Sequence, residues 1–129
     1  MHTHNRRSGF TLIELVVVVT IIGILASMSV VRFTGAKERA LEAKMRTDLR
    51  TLATQQESFF VDHEAFSPSL TELGFSPSTG LELAILQADI TGWSAKMNPT
   101  GATTPMCVVY FANAAPVPPA EREGTITCQ

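Results

Sequence analysis

Glu14 is the residue whose chemistry most needs an explanation, because it is the only charged side chain in a long apolar stretch. The stretch runs from Phe10 to Val31, and a polar arm carrying Arg6 and Arg7 precedes it. A carboxylate at the centre of a bilayer costs about 3 kcal/mol, and less near the interface. The role of the stretch must therefore account for Glu14.

The apolar stretch favours a membrane-spanning helix over two other structures. Its 22 residues would form a helix of about 33 Å, enough to cross a hydrocarbon core of about 30 Å. A cleaved secretory signal has a shorter apolar core of about 7–15 residues, and the best exit site here, Ser27-Met28-Ser29, matches poorly. A chain of 129 residues is also too small to bury a helix that is apolar on every side.

Two cysteines, Cys107 and Cys128, lie in the distal part of the chain. Behind a membrane segment, such a pair is typical of a disulfide in an oxidising compartment. The enclosed loop would contribute about 3 kcal/mol in the chain-entropy model. Two buried free thiols are the alternative.

Charge is distributed unevenly along the chain, whose formal net charge is −2. Two basic residues precede the apolar stretch and six follow it, which by the positive-inside rule alone places the N-terminus outside. The cysteine pair requires the opposite orientation, and we give it more weight. The part from residue 62 onward carries seven acidic and two basic side chains, so the isolated subunit offers no basic patch for nucleic acid.

The segment 32–61 is predicted to be an amphipathic helix that continues the apolar one. Apolar residues recur at steps of three and four, and the charged face offers the i,i+4 pairs Glu42/Arg46 and Lys44/Asp48. No proline interrupts the chain before Pro68, so one helix of roughly 50 residues is expected. The apolar positions are Ala36, Ala40, Leu41, Met45, Leu49, Leu52, Ala53, Phe59 and Phe60.

The rest of the chain predicts a small antiparallel sheet. Ser67-Pro68 and Ser69-x-x-Glu72 indicate a short helical turn that ends at Gly74. Residues 80–90 are read as a strand because glycines bracket them, although their Leu, Glu, Ala and Gln would also suit a helix. Further strands are expected at 93–97 after a two-residue turn Thr91-Gly92, at 106–112 in the centre of the sheet, and at 124–128. The proline-rich segment 114–120 must be a loop. Antiparallel pairing would set Cys107 opposite Cys128 and Val109 opposite Ile126. The predicted fold class is α+β.

The run Gly9-Phe10-Thr11-Leu12-Ile13-Glu14 after a basic arm resembles the type III signal sequence of the type IV pilin and type II secretion pseudopilin family. The resemblance in sequence covers roughly residues 6–36, and beyond them it rests on architecture. It implies that a membrane-embedded prepilin peptidase cuts between Gly9 and Phe10 and methylates the new N-terminus at Phe10. It also implies that Glu14 pairs with the N-terminal ammonium of a neighbouring subunit, which sets the axial stagger of the assembly.

The resemblance also implies a division of the chain. Residues 1–9 would be a leader, 10–31 the transmembrane and filament-core helix, 32–61 an amphipathic helix, and 62–129 a β-sheet head with the disulfide. Gly23 matches a glycine where family helices loosen, although close helix packing would explain it equally. Many members carry a proline where this chain has Val31, so a kink there is not expected.

A structural subunit of a type IV pilus or a type II secretion pseudopilus is the function that the resemblance implies. Its partners would be copies of itself and related pilins in a helical filament, the prepilin peptidase, and an inner-membrane assembly platform with its ATPase. Before assembly it would cross the inner membrane once, with a cytoplasmic N-terminus and a periplasmic head. The alternative is a permanently anchored periplasmic binding or interaction protein with an uncleaved signal anchor. A DNA-uptake fibre also stays open.

Catalysis and metal binding find little support in the sequence. His63 lies between Asp62 and Glu64, but three adjacent side chains point in different directions, so a solvated turn is expected rather than a metal site. Glu121-Arg122-Glu123 lacks a calcium-ligand pattern and is expected to be solvated. We therefore expect no enzyme activity, no catalytic residues, no metal and no cofactor.

Overall fold

One long helix and one small sheet make up the protein. The structure, a computed structural model, describes residues 9–129 except for the side chains of residues 30–34. The helix α1 (Leu12–His63) is followed by the strands β1 (Leu81–Ala88), β2 (Gly92–Pro99), β3 (Cys107–Ala112) and β4 (Thr127–Cys128). The strands form one antiparallel sheet in the order β1-β2-β3-β4. The fold class is α+β, as the sequence predicts.

The chain divides into two compact units between Ala36 and Lys37. The first contains the apolar part of α1. The second, which we call the globular unit, comprises residues 37–129 and contains the rest of α1 and the whole sheet. The part of the leader that carries Arg6 and Arg7, and the side chain of Val31, lie outside the described residues.

The core of the globular unit forms between one stripe of α1 and one face of the sheet. Met45, Leu49 and Leu52 are fully buried, and their spacing of three and four residues places them on one side of the helix. This confirms the centre of the predicted apolar face, whereas Ala36 and Ala40 at its start are exposed. The buried residues that complete this core from the connecting segment and the sheet are Phe66, Leu73, Leu81, Trp93, Ala95, Met97, Cys107 and Val109.

Polar side chains of α1 bind the loop and strand ends rather than one another. Asp48 accepts hydrogen bonds from the N–H of Ser78 at 2.7 Å and from its hydroxyl at 2.9 Å. The Nζ of Lys44 donates to the carbonyl of Thr79 at 2.6 Å. The expected Lys44/Asp48 pair is therefore wrong, because both groups secure the entry into β1.

Arg46 follows the same principle at the other side of the sheet. Its Nη1 donates to the carbonyl of Ile126 at 2.7 Å, so the expected Glu42/Arg46 pair is replaced by a bond to the residue that precedes β4. A carbonyl near the end of a short strand has few backbone partners, and a guanidinium satisfies it with charge assistance. The long-range bond contributes more to tertiary structure than an exposed helix pair would.

The second face of the sheet is covered by the proline-rich loop. Val108 and Tyr110 of β3 are buried against Ala114 and Ala120, with Val117 packed beside them. The loop assignment for residues 114–120 is thereby confirmed, and β3 has neighbours on both of its faces. This explains why its sequence is continuously apolar instead of alternating.

The connections differ from the predicted ones in length. The turn into β2 has the three residues Asp89–Thr91, not the two residues Thr91-Gly92, because Gly92 already pairs with Ala112 of β3. The last strand is limited to two residues, where a strand over 124–128 was expected. Cys107 does pair with Cys128, but the ladder ends at Val108 and Thr127, so the expected pairing of Val109 with Ile126 is not formed.

A buried amide organises the segment between α1 and the sheet. The side chain of Gln56, fully buried, donates to the Ser67 carbonyl at 2.8 Å and accepts from the Ser67 N–H at 3.0 Å. The turn spans residues 70–74 and ends at Gly74, as predicted. Its cap is only half a capping box, because Glu72 accepts from the hydroxyl of Ser67 at 2.6 Å and makes no return bond to the Ser69 N–H.

Gly92 is a position where the sheet excludes any side chain. A Cβ there would lie 2.5 Å from the amide nitrogen of Ala114 and 2.5 Å from the carbonyl oxygen of Phe111, both of them backbone atoms. We expect Gly92→Ala to lower the free energy of unfolding by about 2–3 kcal/mol, because the backbone must shift. Urea denaturation of the detergent-solubilised chain, with its disulfide intact, measures the change.

The matched control is Gly101→Ala. Gly101 has a φ of +74° but open space around it, so only the cost of the left-handed conformation, about 1 kcal/mol, is expected there. Equal losses of stability in the two variants would contradict the steric role of Gly92.

Asp89 closes the turn between β1 and β2 and is expected to titrate unusually low. The hydroxyl of Thr91, the N–H of Thr91 and the side chain of Gln87 all donate to its carboxylate, and these bonds lower its pKa from 3.8 to about 2. Because the folded pKa lies below the unfolded one, the stabilisation is complete above about pH 4 and is lost as the pH falls towards 2. Carboxyl NMR shifts recorded against pH measure the midpoint.

The variant Thr91→Val tests the cause of this low pKa. Since the Thr91 hydroxyl makes the largest contribution, its removal should raise the pKa of Asp89 towards 3.8 while the backbone bonds remain. A midpoint near 3.8 in the unaltered chain would show that the turn does not hold the carboxylate in this way.

Candidate assembly site

The start of α1 is built by a reciprocal pair of side chains. Glu14 receives the N–H and the hydroxyl of Thr11 on its Oε2, each at 3.3 Å, and the Glu14 N–H donates back to the Thr11 hydroxyl at 3.3 Å. This is a capping box, in which Thr11 is the N-cap and Glu14 the third helical residue. The carboxylate therefore has a local structural role as well as its negative charge at the positive end of the helix dipole.

The hydroxyl groups of Thr20 and Ser27, inside the apolar stretch, are satisfied by the helix itself. Thr20 donates to the carbonyls of Val16 and Val17 at 2.8 and 2.9 Å, and Ser27 donates to that of Ile24 at 2.7 Å. In hydrocarbon no water is present to accept such bonds, and an unsatisfied donor costs several kcal/mol. These polar side chains therefore do not prevent the helix from entering an apolar environment.

The apolar side chains of the same stretch are exposed in the part of the chain that the structure describes. The segment Leu12–Ser29 is long and apolar enough to cross a membrane, and none of it is buried. An exposed apolar surface of this extent on a protein marks a contact with lipid or with other protein. The large exposed side chains are Phe10, Leu12, Ile13, Leu15, Val16, Val17, Val18, Val19, Ile21, Ile22, Ile24, Leu25 and Met28.

The predicted processing site lies immediately before this helix. Gly9 and Phe10 precede the first helical residue, and Phe10 is 90% exposed. Apart from Gly9 and its chain neighbours, no heavy atom of the described residues lies within 4 Å of the position that a Cβ of Gly9 would occupy. The surroundings of this bond are therefore uncrowded, which suits the approach of a peptidase. Cleavage and methylation at this bond stay predictions.

Comparisons with known proteins agree with this arrangement. Residues 4–30 match the model of the prokaryotic N-terminal methylation motif. Over 75 residues the chain is 43% identical to the type IV major pilin protein PilA of Myxococcus xanthus strain DK1622. The matched residues make up 58% of this chain and 34% of that protein. It is 36% identical over 70 residues to the type II secretion system core protein G of Dickeya chrysanthemi, covering 54% of this chain and 46% of that protein.

Over about half of its length the chain is similar to type IV pilins and type II secretion pseudopilins. A third relative, the fimbrial protein of Pseudomonas aeruginosa, is 33% identical over 82 residues, which cover 59% of this chain and 53% of that protein. The chain therefore spans between a third and about half the length of these curated relatives. The resemblance stated from Gly9 to Glu14 is confirmed at the level of the family.

The remaining predicted residues are part of the globular unit. Cys107 and Cys128 form a disulfide across β3 and β4. His63 stacks on Phe59, with ring centroids 3.9 Å apart, and its Nδ1 lies 3.0 Å from the Phe59 carbonyl. Among the residues that the structure describes, no group of three or more His, Cys, Asp or Glu is placed to hold a metal ion.

The acidic run 121–123 is exposed at all three residues, as expected for a solvated loop. The carboxylate of Glu123 also accepts a hydrogen bond from the N–H of Ala112 at 2.7 Å. Ala112 has a φ of +55°, an uncommon conformation for a residue with a side chain. Glu123 thereby holds the end of β3 while it stays exposed.

Thr11 is the residue of the candidate site that the sequence reasoning missed. The signal was available, because Thr11-Leu12-Ile13-Glu14 has the T-x-x-E spacing of a capping box directly before an apolar run. The position of Glu14 in an apolar stretch directed attention to distant partners instead of the nearest one.

We expect Thr11→Val to loosen the first turn of α1, because the hydroxyl that receives the Glu14 N–H is lost. Loss of an N-cap costs about 1 kcal/mol, which corresponds to about fivefold faster hydrogen exchange of the first-turn amides. NMR exchange rates of the chain in detergent micelles measure the effect. Thr11→Ser keeps the hydroxyl and should exchange within about twofold of the unaltered chain; equal rates in the two variants would contradict the cap.

Proposed function

We propose that the protein is a structural subunit of a type IV pilus or a type II secretion pseudopilus, which polymerises through its N-terminal helix. The observation that carries the proposal is the exposed apolar segment Leu12–Ser29, which follows an exposed Phe10 and contains a single carboxylate, that of Glu14. Side-by-side packing of such helices from many copies buries the apolar surface that each copy leaves open. The same segment holds the subunit in the inner membrane before assembly.

Processing would prepare the subunit for this packing. A prepilin peptidase would remove residues 1–9, and with them Arg6 and Arg7, and would methylate the new N-terminus at Phe10. The mature chain then begins with an ammonium at Phe10, two residues before the helix and four residues before Glu14. A charge pair in a setting of low dielectric constant is favourable only when both partners are present.

The pairing of Glu14 with the ammonium of a neighbouring copy would define the axial stagger. The capping box satisfies one oxygen of the Glu14 carboxylate, Oε2, through Thr11. Since a carboxylate has about four acceptor sites, it can bind an ammonium while the capping bonds persist. The structural role of Glu14 and its assembly role are thus compatible in one rotamer.

The domain boundaries follow from the same proposal. Residues 1–9 are the leader, 10–31 the transmembrane and filament-core helix, 32–61 the amphipathic helix and 62–129 the head with its disulfide. The N-terminus lies in the cytoplasm and the head in the periplasm, and the filament later lies in the periplasm or at the cell surface. The partners are related pilins, the peptidase, and the inner-membrane platform with its ATPase. The subunit has no catalytic residues of its own.

Intact mass of the membrane-extracted chain tests the processing steps. Cells with the prepilin peptidase should yield a chain that begins at Phe10 and carries one additional methyl group, and cells without it should yield a chain that begins at Met1. A chain that begins at Met1 in both strains, or an unmethylated Phe10, would overturn the proposal in favour of an uncleaved signal anchor.

Glu14→Ala tests the assembly role. We expect at least a tenfold loss of sedimentable filaments, because removing one partner of a buried charge pair costs about 3–5 kcal/mol. The matched control is Glu38→Ala, which removes an exposed glutamate of the same helix within the globular unit and should leave assembly unchanged. Electron microscopy of cell surfaces, together with secretion of exported proteins, separates pilus from pseudopilus. Normal filaments from Glu14→Ala would refute the stagger argument.

A further inference from the structure

A hollow with two arginines lies beside α1, next to the end of β3 and the segment before β4. Its volume is about 340 Å³, and it is lined by Arg46, Arg50, Phe111 and Thr125 among others. Arg46 uses its Nη1 for the carbonyl of Ile126, while Arg50 is exposed. A concave surface with an aromatic wall and a fixed guanidinium suits a planar anionic group such as a carboxylate. We call it the arginine hollow.

A second hollow, with acidic side chains, lies at the far end of the same helix. Its volume is about 470 Å³, and Ser58, Asp62, His63 and Glu72 line it, with Leu73 at the turn. Asp62 and Glu72 are both exposed. We call it the acidic hollow. It lies where α1 meets the turn 70–74, whereas the arginine hollow lies where α1 meets the sheet.

The geometry of the helix prevents the two hollows from meeting within one molecule. Arg50 and Asp62 are twelve residues apart, which corresponds to about 18 Å along the axis and about 120° around it. Arg46 and Asp62 are sixteen residues apart, about 24 Å and 160°. The charges therefore face different directions at different heights, and their complementarity can be used only between molecules.

We propose that the arginine hollow of one subunit receives the acidic end of α1, centred on Asp62, from a second copy of this chain. The proposal rests on the function proposed above. In a helical filament of parallel helices a subunit contacts copies at several axial offsets, and the copy that meets the arginine hollow is displaced by about 18 Å, the twelve-residue separation of Arg50 and Asp62. It is therefore a different copy from the less displaced one whose N-terminal ammonium would pair with Glu14. The contact is heterologous, because it joins two different surfaces of the subunit. At one end of the assembly an arginine hollow stays unfilled, and at the other end an acidic surface does. Such a contact produces an open helical assembly rather than a closed dimer.

The charge of the surroundings favours a copy of the chain over another ligand. From residue 57 to residue 72 the globular unit carries four acidic and no basic side chains other than His63, while residues 37–50 carry five basic and three acidic ones. Each subunit thus presents positive charge around residues 37–50 and negative charge around residues 57–72. Opposite potentials at the two ends direct the encounter and fix the register of subunits, while like ends repel.

Charge reversal tests the contact in the full-length chain. Arg50→Glu and Asp62→Arg should each reduce sedimentable filaments by about tenfold or more, and the double variant should restore them to within about twofold of the unaltered chain. The matched controls are Arg122→Glu and Glu82→Lys, which reverse exposed charges outside both hollows and should have no effect. Near-ultraviolet circular dichroism of the buried Trp93 confirms that every variant is folded.

Cysteine cross-linking tests the geometry independently. The two native cysteines are already joined to each other, so new thiols can be introduced at exposed positions. In assembled filaments, oxidation of a chain carrying both Arg50→Cys and Asp62→Cys should give a ladder of covalent multimers. Cells that make the two single variants together should give dimers only. Dimers from either single variant alone would indicate an isologous contact and would overturn the proposal.

The outcomes separate this contact from the function on which it rests. If the unaltered chain forms no filaments, the proposed function fails, whereas loss caused by Glu14→Ala alone leaves that function in place. Normal filaments from Arg50→Glu would refute the contact, and so would failure of the double variant to restore filaments. The second result would mean that the arginine hollow binds a different protein or a small anion.

Discussion

The protein depends on one constraint: it has an apolar helical segment that it cannot bury. The globular unit completes its own core with residues 45–128 and leaves Leu12–Ser29 uncovered. Each large apolar side chain gains about 1.5–3 kcal/mol on full burial, so the exposed set represents a free energy larger than the net stability of a typical domain. Lipid and other copies of the same segment are the two environments that can remove this surface from water. In the proposed function, the segment leaves lipid and packs against other copies of itself.

Glu14 limits how that exchange can take place. In the isolated chain the carboxylate caps its own helix through Thr11, so the helix begins at a defined residue. A lone capped carboxylate still carries a charge that hydrocarbon does not solvate. In the filament proposed here, a new ammonium at Phe10 would remove that penalty. Cleavage would then change the energetics of assembly, since it creates the positive partner and removes the arginines of the leader together.

Sequence periodicity predicted those parts of the fold that one dominant interaction determines. The apolar stretch, the buried stripe at Met45, Leu49 and Leu52, and the pairing of Cys107 with Cys128 all follow from strong local patterns. The errors lie where a polar group had several possible partners. Lys44, Arg46 and Asp48 had helical neighbours of opposite charge at i,i+4, but backbone groups of the loops compete better because they would otherwise stay unsatisfied. The end of β1 was predicted two residues too far along the chain, at residue 90 instead of Ala88, for the same reason. The side chain of Asp89 accepts hydrogen bonds from the Thr91 and Gly92 amides, and these bonds decide where the strand ends. Thr11 shows the reverse case, in which a nearby partner was available and a distant one was considered first.

The basic residues after the apolar stretch acquire a different meaning from these contacts. By number alone they oppose the orientation that an extracytoplasmic disulfide requires. Three of the six are accounted for by the globular unit: Lys44 and Arg46 hold the two ends of the sheet to α1, and Arg50 lines the arginine hollow. The positive-inside rule describes cations in loops that remain beside the membrane, whereas these side chains are held on a folded helix by protein carbonyls or face a concave protein surface. Without these three residues, three basic side chains remain after the apolar stretch and two before it. They are Arg32, Lys37 and Arg39 on one side and Arg6 and Arg7 on the other. The charge difference across the segment becomes small, and the oxidising environment that the cysteines need is then the stronger guide to orientation.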